Sequence, residues 1–228
     1  MPVSAPRPAR LSKEEWLELE KQSGLRYEYL DGFVYAMAGE SRTHNDIVVN
    51  ITLALAQKAR AKGCEFQVEN MRTWVKALNR YYYPDVVISC GTEAHESEIH
   101  EPCFIVEVLS ESGSHEYPTR PTRPCGVKHP PRSAGVCGKR DETTADKDRR
   151  EKLEAYFKIP TLKTYVLVSQ EEKRVEVYQR TRWNLVWSEL VNDSELEVAC
   201  LGETLNLEQI YAGLAVAEVV EPSSDVSP

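Results

Sequence analysis

Two short runs of consecutive apolar residues constrain the fold of this chain most strongly. They are Val86-Val87-Ile88 and Phe104-Ile105-Val106. A strand that is apolar at every position is typical of a sheet covered on both faces, because a sheet with one wet face alternates apolar and polar residues. The two runs therefore predict neighbouring central strands of a covered sheet. Each run also carries an acid at one end, Asp85 before the first and Glu107 after the second.

The segments before these strands predict a helix, a hairpin and a second helix. Ser12 and Glu15 have the spacing of a capping box, which predicts a helix through LSKEEWLELEKQ. Asp31-Gly32 favours a tight turn between two strands in RYEYLDGFVYAMA. Thr43 or Asn45 is the candidate N-cap of a long amphipathic helix through residue 62.

The rest of the chain alternates between strand and helix patterns. Strands are predicted in EFQVEN, MRTWVKA, YYYPDVVISC and CFIVEVLS, then in TYVLVSQ, RVEVYQR and NLVWSEL. Helices are predicted in DKDRREKLEAYFKI and LNLEQIYAGLAV. The core order is helix, three strands, helix, strand, with additional strands at both ends. The predicted fold class is α/β, built around a mixed central sheet.

Length and composition predict one domain with an insertion and two tails. Once tails are discounted, 228 residues leave no room for two cores of ~150 residues each. Residues 113–142 contain five prolines and no Leu, Ile, Phe, Met or Trp, so they cannot bury enough apolar surface to offset the entropy of ordering. We therefore predict a domain at 12–214, interrupted by a disordered insertion at 113–142, with disordered tails at 1–11 and 215–228.

Composition also limits the classes of function. The net charge of −8 argues against general attraction to nucleic acid, although a carboxylate metal site would itself be acidic. The sequence has neither a long apolar run nor a signal core, so a cytoplasmic protein without a membrane span is expected. Six cysteines occur without a CxxC pair, so their spacing predicts neither a disulfide framework nor a zinc site, and most are expected to be reduced.

The paired acids predict a site for a hard divalent cation. A buried carboxylate is costly unless it is paired or coordinated, and Mg²⁺ or Mn²⁺ prefers oxygen ligands. Such an ion serves phosphodiester hydrolysis, in which a nearby ammonium stabilises the developing charge. Lys152 is the candidate ammonium, because it shares a helix face with Asp148 and Tyr156.

Each of these residues also has a structural interpretation. On spacing alone, an exposed pair of Asp148 and Lys152 is favoured, worth about 0.3 kcal/mol. Asp85 has the alternative of capping a turn, and Glu107 that of pairing with an arginine. Apolar residues lie on both sides of Glu107, so the structural alternative is weaker for Glu107 than for Asp85.

Several of these stretches together resemble the Uma-two family of endonucleases, in the restriction-endonuclease-like PD-(D/E)XK superfamily. They occur in the order RYEYLDG, a helix-opening His44, YYPDVVIS, FIVEVLSES, REKLEAYFKIPTLKTYVLVSQ and VEVYQR. The resemblance covers roughly residues 12–214 apart from 113–142, which have no counterpart in it. It implies that Asp85 and Glu107 bind metal, with the main-chain carbonyl of Val108 as a further ligand.

The standard motif of this superfamily has a lysine two residues after the acid, where this chain has Leu109. The resemblance implies that Lys152 supplies that function from the next helix. It also implies supporting roles for Glu28, as a metal- or water-holding acid, and His44, as a phosphate or base contact. Their alternatives are a hairpin salt bridge for Glu28 and a satisfied helix-end histidine for His44.

The sequence therefore predicts a metal-dependent endonuclease that hydrolyses DNA and uses Mg²⁺ or Mn²⁺. The alternative is a catalytically inactive module that binds nucleic acid or protein, motivated by Leu109, the insertion and the acidic surface. Self-association into a homodimer is compatible with the resemblance. No sequence feature indicates which DNA sequence or structure would be preferred.

Overall fold

The computed structural model describes residues 10–37, 39–91, 95–110, 147–182, 184–190 and 194–219. The predicted insertion at 113–142 lies outside these residues. The helices are α1 Lys13–Ser23, α2 Arg42–Ala61, α3, which is a π-helical turn Asp148–Lys152 continued by an α-helical turn Leu153–Tyr156, and α4 Leu207–Ile210. The strands are β1 Tyr27–Leu30, β2 Phe33–Ala36, β3 Glu65–Val68, β4 Arg72–Val75, β5 Arg80–Tyr82, β6 Val86–Ser89, β7 Glu98–Ile99, β8 Pro102–Val108, β9 Thr164–Val168, β10 Val175–Arg180, β11 Leu185–Leu190, β12 Glu195–Val198 and β13 Glu203–Asn206.

The centre of the fold is a six-stranded sheet in the order β11-β10-β9-β8-β6-β3. Strands β8 and β9 are parallel, whereas the other pairs in this sheet are antiparallel. Its central strands β6 and β8 are buried at every position. The mixed α/β class predicted from the apolar runs is confirmed.

Successive side chains of a strand point to opposite faces of the sheet, so each strand contributes to two clusters. Both faces of this sheet are covered. On one face, Val86 and Phe104 pack in a cluster that includes Ile51 of α2. On the other face, Val87 and Ile105 belong to a cluster that includes α3 and the second sheet. Glu107 points to this second face, beneath α3, because it lies two residues after Ile105.

The second sheet has the order β2-β1-β5-β4-β7 and packs against α1. The capping box of Ser12 and Glu15 is present, as predicted. So is the hairpin turn, in which Asp31 and Gly32 have φ values of 47° and 99°, as expected for the tight turn that Asp-Gly favours. Trp16 of α1 is fully buried and anchors the helix to this sheet.

Several predicted boundaries differ from the structure. The N-cap of α2 is Ser41, whose hydroxyl accepts from the amide of His44, rather than Thr43 or Asn45. The segment YYYPDVVISC forms two strands in different sheets, β5 and β6, because Pro84 cannot donate to a sheet and interrupts the run. The predicted C-terminal helix is limited to α4, and the chain turns at Gly213, where φ is 72°. The hairpin β12–β13 was not predicted.

Parts of both predicted tails contact the domain. The amide of Leu11 donates to the carbonyl of Gly32, and Arg10 pairs with Asp31 at 2.8 Å. At the other end, the amide of Lys173 donates to the carbonyl of Ala217. The ordered domain therefore extends beyond 12–214 at both ends, to at least residues 10 and 217.

The expectation that most cysteines are reduced is wrong for four of them in this structure. Disulfides join Cys64 to Cys90 and Cys103 to Cys200. The bonded cysteines are 26 and 97 residues apart in the sequence, so rules based on short cysteine spacings did not predict these two pairs. Among the described residues, no helix is long and apolar enough to cross a membrane.

Candidate active site

Asp85 and Glu107 lie next to the last register pair of two adjacent strands. The antiparallel register of β6 and β8 pairs Val86 with Val106; Asp85 directly precedes Val86, and Glu107 directly follows Val106. The amide of Val108 donates to Asp85, and burial and the charge of Asp85 both contribute to the raised pKa of Glu107. Alternation puts Glu107 on the same face as Ile105, beneath α3. Asp85 is 7% exposed and Glu107 is 3% exposed. The predicted convergence of two buried carboxylates is therefore present in the fold.

Lys152 lies at the centre of a group of carboxylates. Its Nζ is 2.9 Å from Oε2 of Glu107, 2.9 Å from Oδ1 of Asp148 and 3.3 Å from Oε1 of Glu28. Lys152 is 5% exposed and Asp148 is 2% exposed. The interpretation of Asp148 and Lys152 as an exposed pair is therefore wrong, because α3 turns their shared face into the core.

Helix α3 also brings Tyr156 to Glu107. The hydroxyl of Tyr156 donates to Oε1 of Glu107 at 2.8 Å, so the two oxygens of this carboxylate have different partners. The hydroxyl of Tyr165 donates to the carbonyl of Asp148 at 3.1 Å and ties the first turn of α3 to β9. The wide π-helical geometry of this turn is a feature that recurs at functional sites.

Glu28 faces the same group from the second sheet. It lies on β1 two residues before Leu30, which packs in the cluster beneath α3. Its carboxylate pairs with both Lys147 and Lys152, and all three side chains are buried. Lys147 and Lys152 belong to α3 and its N-terminal end, so these ion pairs of Glu28 join β1 to α3 and lie outside the β1–β2 hairpin.

His44 joins the group through Asp85. It occupies the first turn of α2 and is 1% exposed. Its Nε2 is 3.2 Å from Oδ1 of Asp85, and its Nδ1 is 3.2 Å from Oε2 of Glu40. Burial acts to lower the pKa of His44, but the bond to Asp85 and the charges of Asp85 and Glu40 outweigh it and raise the pKa.

Val108 contributes a contact that the sequence did not indicate. Its backbone amide donates to Oδ2 of Asp85 at 2.6 Å. One carboxylate oxygen of Asp85 is thereby fixed by the backbone of β8, while the other lies near His44. The role predicted for Val108 used its carbonyl instead, and that role stays a prediction.

Burial sets the electrostatics of the site. It raises the pKa of Glu107 well above that of an ordinary carboxyl, against the lowering effect of Lys152. Burial likewise raises the pKa of Asp148. For Lys152, burial acts to lower the pKa, but Asp148, Glu107 and Glu28 outweigh it and hold the pKa well above the ordinary value. The site therefore keeps the ammonium of Lys152 charged, while the carboxyls of Glu107 and Asp148 retain protons to higher pH.

The charges of the group favour a divalent cation. In the described part of the chain, one set of ion pairs joins Glu28, Glu107 and Asp148 to Lys147 or Lys152, and a second set joins Glu40 and Asp85 to His44. Acids outnumber basic groups in each set. The donors are oxygen atoms, as Mg²⁺ and Mn²⁺ require. The residues present fit such an ion.

All five predicted site residues, Glu28, His44, Asp85, Glu107 and Lys152, are brought together by the fold. Sequence reasoning missed Lys147 and Glu40, and it assigned no role to the hydroxyl of Tyr156. Tyr156 had a detectable signal, since it lies four residues after Lys152 on the same helix face. No sequence pattern indicated a role for Lys147, because it occurs in a run of charged residues that is typical of a solvent-exposed segment.

Comparison with protein families shows one match. A family model described as "Uma2: Putative restriction endonuclease" matches residues 13–122. This range includes Glu28, His44, Asp85 and Glu107, and it ends before Lys152.

Two cyanobacterial proteins are similar over most of their length. "Uncharacterized protein slr1290" of Synechocystis sp. (strain ATCC 27184 / PCC 6803 / Kazusa) is 29% identical over 217 residues, covering 93% of this chain and 96% of that protein. "Uncharacterized protein sll1609" of the same organism is 28% identical over 174 residues, covering 75% of this chain and 81% of that protein.

A solved structure has a similar fold. It is described as a putative nuclease belonging to DUF820 from Anabaena variabilis ATCC 29413. The TM-score is 0.58 at 13% sequence identity, with 88% of this chain and 97% of that chain covered. At this identity the likeness concerns the fold alone.

Proposed function

We propose that the protein is a metal-dependent endonuclease that hydrolyses DNA phosphodiester bonds, because residues 13–122 match the model of the Uma2 family, the family that the sequence motifs indicated. The observation that carries the proposal is the position of Asp85 and Glu107 next to the paired Val86 and Val106, with the ammonium of Lys152 2.9 Å from Glu107. A carboxylate pair beside a charged lysine is the arrangement that this chemistry needs.

The metal ligands in this proposal are Asp85, Glu107 and the main-chain carbonyl of Val108. The preferred ion is Mg²⁺ or Mn²⁺, because the donors are oxygen atoms. When bound, the ion would polarise the phosphate and lower the pKa of a water molecule. The excess of acids over basic groups at the site supports a divalent cation.

The protein's own residues prepare the site in three ways. The amide of Val108 and the imidazole of His44 orient Asp85. The hydroxyl of Tyr156 holds one oxygen of Glu107. Fixed groups of this kind need little reorganisation during reaction, which is the main advantage of a preorganised site.

Lys152 supplies positive charge beside the reacting phosphate. Its ammonium stays charged at neutral pH because the surrounding carboxylates raise its pKa. Glu28 contacts both Lys152 and Lys147, and it orients the two ammonium groups toward one region. In a chain with a net charge of −8, this local pair of cations favours contact with a phosphate.

A homodimer is the oligomeric state we propose. Strand β11 lies at the edge of the six-stranded sheet and exposes Leu185, Val186 and Trp187. Exposed apolar edge strands favour pairing with another chain. Light scattering should give twice the mass of one chain for the wild type and a smaller mass for Trp187→Glu; a monomeric wild type contradicts this assignment.

The test is nicking of supercoiled plasmid in Mg²⁺ or Mn²⁺. Asp85→Asn and Glu107→Gln should each lose activity on the order of a hundredfold or more. The matched control is Glu20→Gln, because Glu20 is also buried but accepts from the hydroxyl of Tyr83, away from the site. Glu20→Gln should retain activity, since it removes a buried acid without changing the metal ligands.

The same nicking assay with a variant lacking residues 113–142 distinguishes an active site that the insertion blocks from the absence of an active site. Cleavage only after this deletion would indicate an intact site that is blocked by the insertion. If neither form cleaves, while both bind DNA without metal and independently of Asp85, the catalytic proposal fails. The inactive binding module then takes its place.

A further inference from the structure

A second cluster of reactive side chains lies at the opposite end of β6 from Asp85. The register of β3 and β6 pairs Glu65 with Ser89, so Cys64 and Cys90 meet just beyond these strands. Strand β8 adds Cys103, and the turn between β12 and β13 adds Cys200. The five residue-to-residue steps from Asp85 to Cys90 span roughly 17 Å of strand, so this cluster is separate from the proposed catalytic site.

The sulfurs of this cluster are closer together than two independent disulfides require. The Sγ atoms of Cys90 and Cys103 are 3.7 Å apart, although these residues belong to different disulfides. The Sγ atoms of Cys90, Cys103 and Cys200 all lie within 4.8 Å of one another. Cys64 is brought to the same point by its bond to Cys90.

The separation of Cys90 and Cys103, which are not bonded to each other, matches the dimensions of a tetrathiolate metal site. A tetrahedral ion with Zn–S bonds of about 2.3 Å separates its sulfurs by about 3.8 Å. Soft thiolate ligands select Zn²⁺ over hard cations such as Mg²⁺. We propose that Cys64, Cys90, Cys103 and Cys200, when reduced, bind one Zn²⁺ ion.

The surroundings of the cluster suit this role. Cys64 and Cys103 are buried, whereas Cys90 is exposed and gives the ion a route of entry. The ligands are carried by strand ends and a hairpin turn, which hold them at defined positions. The ammonium of Lys62 donates to the carbonyl of Leu201, next to Cys200, and partly offsets the negative charge that four thiolates would leave around Zn²⁺.

Metal binding and disulfide formation exclude each other at these sulfurs. Two dithiol molecules reduce the two disulfides, supplying four electrons and four protons and becoming two disulfides themselves. Zn²⁺ then replaces the four thiol protons. In the reverse direction, two molecules of a low-molecular-weight disulfide take four electrons from the four thiolates, take up four protons from the solvent and leave as four thiols. Zn²⁺ is released as the two protein disulfides form.

The test is Co²⁺ and Zn²⁺ binding to the full-length chain after reduction by a phosphine under nitrogen. We expect one Co²⁺ per chain with intense thiolate-to-cobalt absorption, displacement of Co²⁺ by Zn²⁺, and release on adding a low-molecular-weight disulfide. The single variants Cys90→Ser and Cys200→Ser should lose most of this absorption. The matched control is the double variant Cys125→Ser/Cys137→Ser, which should bind as the wild type does.

A second measurement uses the wild type alone and does not depend on the folding of variants. Zn²⁺ should protect Cys64, Cys90, Cys103 and Cys200 from alkylation in the reduced chain, as located by peptide mass mapping, and Mg²⁺ should not. A reduced, folded chain that takes up no Co²⁺, or in which Zn²⁺ protects none of the four, overturns the proposal. Uptake that requires Cys125 or Cys137 instead also overturns it.

Discussion

Replacement of Lys152 by methionine measures how strongly the buried site depends on its ammonium. Methionine keeps a similar length and an apolar stem but removes the positive charge, which contacts Glu28, Glu107 and Asp148 within 3.3 Å. Removing one partner of a buried ion pair costs about 3–5 kcal/mol, because the other charge is left uncompensated. We expect Lys152→Met to lower the free energy of unfolding by this amount at neutral pH. That is a large fraction of the roughly 5–15 kcal/mol typical of a domain.

The loss should depend on pH in a definite direction. Burial already raises the pKa of Glu107 and Asp148, and without Lys152 their pKa values rise further. A carboxyl with a raised pKa in the folded state favours folding most when it is protonated, so stability falls as pH rises through the interval between its unfolded and folded pKa values. The deficit of Lys152→Met should therefore be smallest at acid pH and should grow toward neutrality.

Urea unfolding followed by tryptophan fluorescence, without divalent metal, gives both quantities. The matched control is Lys58→Met, which removes an exposed lysine 3.0 Å from Glu203 and should cost at most about 1 kcal/mol at any of these pH values. A deficit for Lys152→Met no larger than that of Lys58→Met would refute the assignment of Lys152 as the counter-charge of the site. So would a deficit that is unchanged between acid and neutral pH.

Three further predictions concern the metal, the helix and the core. Mg²⁺ should bind more tightly as pH rises, because it must displace the proton that burial holds on Glu107; calorimetry in which the affinity is the same at acid and alkaline pH, or in which Glu107→Gln binds as the wild type does, contradicts this. Tyr156→Phe removes the 2.8 Å hydrogen bond to Glu107 and should cost about 1.5–3 kcal/mol in urea unfolding, whereas a neutral effect would mean that the bond is not formed in solution. Trp16→Ala should cost about 3–5 kcal/mol, because the side chain is fully buried between α1 and the second sheet; a thermal midpoint within a degree or two of the wild type would show that α1 is not anchored there.

Local sequence patterns were sufficient for much of the fold. The capping box of Ser12 and Glu15 and the Asp31-Gly32 turn depend on neighbouring residues only, and both are present. The apolar runs of β6 and β8 indicated buried strands because every position lacked a polar side chain. The N-cap of α2 was wrong, since several polar residues precede that helix and only Ser41 has the extended backbone of a cap.

The candidate site required more than local patterns. Asp85 and Glu107 were identified because burying an unpaired carboxylate beside an apolar strand costs free energy. The sequence alone shows that these acids adjoin apolar runs. Whether Lys152 faces solvent or the core depends on how α3 packs on the sheet, which spacing does not determine. The same holds for Lys147, whose partner Glu28 lies 119 residues earlier in the chain.

The sequence by itself determined the buried central strands, the acids at their ends and the family to which residues 13–122 are matched. These features depend on residue types and on short spacings within a single stretch of the chain. Only the tertiary structure decided that Lys152 is buried among three carboxylates and that four cysteines meet at the far end of β6. Both arrangements join residues far apart in the chain, and their proximity arises from strand register and helix packing.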